Sequence, residues 1–228
     1  MNEQNYAYLG GYFLVAPIKD EKLDYVPKEF FTVSECISDI FPSNWAWSCV
    51  SNKEQKGIIK ELRITESDFL ELRNWVERAT TDGSFGYPHV FSDVLLAREF
   101  YRKYLSNIHD VKLLGIGISK QYFDEFLDEV NDAEYGVFNN LTKRRMLDNE
   151  GVFRGFELLG YESWSFHTQY CHSNLINYVQ SNLHIKFNEN GLFKDYEEAD
   201  SVIKLIRNNK IGAEPALWQP WTIFEYKL

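Results

Sequence analysis

The stretch "VKLLGIGISKQYFDEFLDEVND", residues 111–132, sets two structural periods back to back. Its first part, 111–119, is a short run of aliphatic residues closed by glycines and a serine, which predicts a buried central strand. Its second part, 120–132, repeats Phe123, Phe126, Leu127 and Val130 at helical spacing and predicts an amphipathic helix. A buried strand running straight into a helix with one apolar stripe calls for a sheet in the interior and helices laid on it.

On the N-terminal side, "SDVLLAREFYRKYLSN" (92–107) reads as a helix capped by Ser92. "TESDFLELRNWVERATTDG" (65–83) reads as another, because Thr65 and Asp68 make a capping-box start and Phe69, Leu72, Val76 and Ala79 share one face. "NWAWSCV" (44–50) alternates Trp45, Trp47 and Cys49 as a strand would, and "KGIIKELRI" (56–64) is its expected hairpin partner. "TVSECISDIF" (32–41) is expected to be a short helix capped by Thr32 or Ser34, and "YAYLGGYFLVAP" (6–17) a strand bulged or kinked at Gly10–Gly11.

On the C-terminal side follow a helical turn near 139–147, a strand at 152–162, helices at 172–183 and 195–209, and a closing edge strand at 220–228. No linker of Gly, Ser or Pro composition divides the chain. Strands and helices mix without strict βαβ alternation. The expectation is one α+β domain over residues 1–228, a mixed, mainly antiparallel sheet with packed helices.

The chain carries 34 acidic against 24 basic side chains, a net charge of −10, which argues against nucleic acid or an anionic membrane as a partner. Aromatic residues make up 16%, so an aromatic-rich core is expected. Cys36, Cys49 and Cys171 form no spaced framework and leave an odd thiol, which favours a reducing compartment. With no signal peptide and no long apolar run, a cytoplasmic location is expected.

Chemistry concentrates in "LGYESWSFHTQYCHSNL" (159–175). His167 and Cys171 are four apart and His172 is adjacent, but zinc needs four ligands, or three plus water. The remainder would have to come from His89, His184 or a carboxylate, and no second ligand pair stands out; no metal and no cofactor are expected. A nucleophilic reading places Cys171 just before a helix start with His167 or His172 as base, in a hydrolase or acyl transferase. "KFNENGLFKDYE" (186–197) imitates a calcium loop but puts Lys186 where the first carboxylate is needed, so a turn is expected. The phosphate-binding glycine motifs, Gly-x-Ser-x-Gly and His-Glu-x-x-His are absent from the sequence.

Two surfaces remain. Asp124, Glu125, Asp128 and Glu129, followed by Asp132 and Glu134, give the 120–132 helix an acidic face suited to a basic partner. Trp218 and Trp221 flank Pro220, and with Trp164 they could line a small-molecule cleft.

Three strings, "YLGGYFLV" (8–15), "FELLGYESWSFHTQYCHSNL" (156–175) and "GAEPALWQPWTIFEY" (212–226), resemble a group of uncharacterised bacterial proteins of similar length. The acidic composition, size and lack of catalytic motifs also resemble immunity proteins of bacterial toxin systems, which neutralise a toxin domain by binding it. That resemblance implies a cytoplasmic inhibitor that occludes a basic toxin domain with its acidic face. The thiol enzyme and the aromatic-cleft binder are the alternatives.

Overall fold

The computed structural model describes residues 7–18, 25–42, 51–87, 89–130, 136–148, 150–163, 165–171 and 173–228. The strand expected at 44–50 lies outside them, as do Asp132, Glu134, Trp164 and His172.

The chain forms an eight-stranded sheet: β1 (Ala7–Pro17), β2 (Ser38–Phe41), β3 (Phe85–Gly86), β4 (Val90–Phe91), β5 (Lys112–Ser119), β6 (Val152–Glu162), β7 (Ser165–Thr168) and β8 (Leu217–Tyr226). Neighbours run β3-β4-β1-β5-β8-β6-β7, with β2 on β1, and each pairing is antiparallel. One face is covered by α1 (Asn52–Leu62), α2 (Glu66–Thr81) and α3 (Val94–Phe100), which runs on as a π-helical turn, Tyr101–Leu105. The other carries α4 (Lys120–Val130), α5 (Gly136–Thr142), α6 (Ser173–Ser181) and α7 (Tyr196–Arg207). The result is a single α+β fold with helices on both sides of an antiparallel sheet.

β5 shows why the sheet can be covered twice. Leu114, Ile116 and Ile118 point into the core beneath α4 and α7, while Leu113 points into the other. Gly115 and Gly117, on the Leu113 side, lie inside the strand rather than ending it. A Cβ at Gly115 would meet the Tyr226 ring at 2.6 Å, and one at Gly117 would meet Ala7 Cβ at 2.8 Å. The bare backbone makes room for aromatic side chains from both neighbouring strands. On the opposite side Phe126 of α4 is fully buried, edge-on to Tyr161 and Trp221. Burial of one such ring contributes roughly 1.5–3 kcal/mol.

Four expectations are corrected. Residues 56–64 are no hairpin strand: most of them belong to α1, which starts at a Ser51–Glu54 capping box and buries Ile58 and Leu62, four apart on one face. Residues 32–41 are a turn followed by β2, because Ile40 and its neighbours satisfy their backbone against β1 from Leu14 to Pro17. The cap of α3 is Asp93, whose carboxylate accepts from Leu95 N and Leu96 N, in place of Ser92. β8 is interior, between β5 and β6, and no edge strand. Pro220 is tolerated there because the ladder to β5 stops at Trp221, so on that side no strand partner is lost.

Candidate functional site

Two constellations emerge, and they share a wall at Glu214. The first is the acidic helix face. Asp124, Asp128 and Glu129 are exposed on α4 and make no ion pair with a described residue. Glu125 is committed: Arg207 of α7 donates to both its oxygens at 2.7 and 2.9 Å, and Gln219 Nε2 donates to it at 3.2 Å. Beside this face lies a depression of about 580 Å³ whose lining includes Glu125, Glu129, Arg207, Glu214 and Trp218. Trp218 donates its indole N–H to the Glu214 carbonyl at 2.8 Å. Trp221 is fully buried and borders none of the three depressions described, and Trp164 lies outside the described residues.

The second constellation is built on two turns and a strand. The turn before β2 carries Cys36, and it is tied down at each step. Ser34 O accepts from Ile37 N and Ser38 N at 3.2 and 3.0 Å, and Thr32 Oγ1 accepts from Ser34 N at 3.2 Å. Glu35 reaches the buried His89 at 2.8 Å, which holds its carboxyl below the usual range. Cys171 closes the 3-10 turn Gln169–Cys171 between β7 and α6. That turn is fixed by Gln169, whose side chain accepts from Leu158 N at 2.8 Å and donates to Gly191 O at 3.0 Å. His167 projects from β7, opposite Gly160 of β6.

These elements bring one donor atom each from Cys36, His167 and Cys171 within 4.8 Å of one another. Cys36 is exposed and Cys171 half-buried. Thr168 N donates to Cys171 Sγ at 3.3 Å, and Ser34 Oγ lies 3.8 Å from the same sulfur. Glu214 Oε2 sits 2.6 Å from His167 Nδ1, an ion-pair distance off hydrogen-bond alignment, and Glu162 Oε2 lies 3.6 Å from Nε2. The hydrogen bond between the sulfurs pulls the Cys36 thiol down to about 5, helped by Ser34 and His167 against burial. The same bond, with burial, pushes Cys171 up.

Beneath both turns sits Glu157 of β6, completely buried. Its Oε1 accepts from Thr32 Oγ1 at 2.5 Å and Thr168 Oγ1 at 2.6 Å, so one carboxyl oxygen clamps the turn of Cys36 to that of Cys171. Its Oε2 has no partner among the described residues. Burial pushes this carboxyl up to about 8, against the two hydroxyls, which favour the ionised form.

The nucleophilic reading of Cys171 meets a thiol held in its neutral form, and neither it nor Cys36 borders any of the three depressions described. Of the expected extra ligands, His89 is bound to Glu35 and His184 lines a separate depression with Tyr25 and Lys186. Sequence reasoning missed Cys36 as the partner of Cys171, since no spacing rule links residues so far apart. The 186–197 segment is a turn, with Asn188 Oδ1 accepting from Asn190 N and Leu192 N at 2.9 and 3.0 Å.

No protein-family model, curated protein or solved structure matches the chain. No helix among the described residues is long and apolar enough to cross a membrane.

Proposed function

We propose that the protein works by binding a basic protein partner, as an immunity-type inhibitor of a toxin domain does, through the acidic hollow beside α4. The observation that carries this reading is the exposure of Asp124, Asp128 and Glu129, unpaired among the described residues, next to a depression lined by Glu129, Glu214 and Trp218. A lysine or arginine from the partner would lay its aliphatic stem along the apolar lining and set its charge among the carboxylates. Glu125, already neutralised by Arg207, contributes shape rather than free charge. The net charge of −10 adds long-range steering toward a cationic partner.

The test is a triple reversal, Asp124→Lys, Asp128→Lys and Glu129→Lys. The probe is the basic protein retained by the immobilised wild-type chain from native-host cells and then purified. Affinity is expected to fall by at least about 30-fold and its salt dependence to flatten, because exposed charges act through a screened field. The far-ultraviolet circular dichroism should not change. Unchanged affinity and salt dependence would sink the proposal.

A further inference from the structure

We infer that Cys36, Cys171 and His167 supply three ligands, among the described residues, of a binding site for a soft divalent cation of the zinc class. It shares Glu214 with the wall of the acidic hollow, but Cys36, His167 and Cys171 do not line that hollow, and the inference does not rest on its reading.

Donor type comes first. Two sulfurs and an imidazole select zinc or cadmium over magnesium or calcium, which take oxygen ligands. Geometry follows. In a tetrahedral zinc site, bond lengths of about 2.3 Å to sulfur and about 2.0–2.1 Å to nitrogen place ligand atoms roughly 3.4–3.8 Å apart. The three donors here already lie within 4.8 Å of one another, so closure needs side-chain movement and no refolding of backbone. Three protein ligands suffice for zinc when water, a substrate atom or a further side chain fills the fourth position.

The surroundings fit a metal ligand set. A carboxylate beside the second nitrogen of a metal-bound histidine orients its ring, and His167 has one near each nitrogen, Glu214 Oε2 at 2.6 Å from Nδ1 and Glu162 Oε2 at 3.6 Å from Nε2. Thr168 N–H points at Cys171 Sγ, as backbone donors do toward metal thiolates. The Glu157 clamp holds the two cysteine-bearing turns in register before any ion arrives. Cys36 is exposed, which gives an entry path. The ion would join the turn before β2 to strand β7 and the 3-10 turn that directly follows it, two stretches distant in sequence, so binding should stabilise the fold.

Cobalt(II) titration of the fully reduced full chain under anaerobic conditions tests this, since thiolate ligation gives a near-ultraviolet charge-transfer band and strong visible bands. One equivalent of cobalt should bind, and zinc should displace it. Cys36→Ser should abolish the thiolate band or weaken affinity at least about 100-fold, and it sits at an exposed turn, so folding survives it. Glu214→Gln should cost about 10–100-fold while keeping the band shape. Cys49→Ser should change nothing. The inference is overturned if the reduced chain yields no thiolate band, if Cys36→Ser leaves it undiminished, or if Cys49→Ser removes it.

Discussion

Replacing Glu157 with glutamine is expected to remove a loss of stability that the wild type suffers as pH rises from about 5 to about 8. In the folded chain burial holds the carboxyl protonated up to about 8, while its ordinary value is 4.5. Between those limits the folded state keeps a proton that the unfolded state has released, so raising the pH favours unfolding. A gap of about 3.5 pH, at about 1.4 kcal/mol for each, puts the full effect on the order of 5 kcal/mol, with roughly 4 of it falling between pH 5 and pH 9. Glutamine copies the neutral acid: its carbonyl oxygen can still accept from Thr32 and Thr168, and its amide takes the place of Oε2. Tyr170, which senses Glu157, is pushed up by burial and stays neutral through this window. The assay is urea unfolding of both proteins at pH 5 to 9, with chelator and reductant present, and the quantity read is the difference in stability at each pH. That difference should move toward the variant by about 4 kcal/mol across the range. A difference constant within about 0.5 kcal/mol would refute the reasoning, because it would mean the carboxyl ionises alike in both states.

Gly136→Ala should destabilise by about 1–3 kcal/mol in the same urea assay, since the new Cβ would lie 2.0 Å from Val90 Cγ1 with Gly86 backbone behind it. Thr65→Ala removes the two hydrogen bonds of the Thr65 hydroxyl, one accepted from Asp68 N and one donated to Asp68 Oδ2, while the Thr65 N–H still reaches Asp68, and should cost about 1 kcal/mol. Phe126→Ala opens a cavity between Tyr161 and Trp221 and should cost about 3–5 kcal/mol, enough to lower the thermal midpoint clearly.

Elements whose signal is local were legible in the sequence. α2 announced itself through Thr65 and Asp68, α4 through its aromatic stripe, and β6 through an apolar run that matches Val152–Glu162 end to end. α1 misled because the β-branched Ile58 and Ile59 have strand propensity, and the helix is decided instead by the Ser51 cap and the burial of Ile58 and Leu62. β8 looked like an edge because of Pro220, whose tolerance depends on where β5 ends, a fact of tertiary pairing alone. The site divides the same way. His167 and Cys171 stood out as neighbours in one segment, whereas Cys36 reaches them only through the β1–β2 pairing and the Glu157 clamp. The acidity of α4 was visible in the sequence; the Arg207 partnership that neutralises Glu125 was not.

The position of β8 has a consequence for biogenesis. It is the last strand in chain order, yet it separates β5 from β6. On the ribosome the β6–β7 ribbon must therefore wait, with both edges of the gap open, until residues 217–226 emerge and slot between β6 and β5. Closure couples segments roughly a hundred residues apart, so the facing edges of β5 and β6 stay exposed until residues 217–226 have emerged, the interval when chaperone capture would matter most.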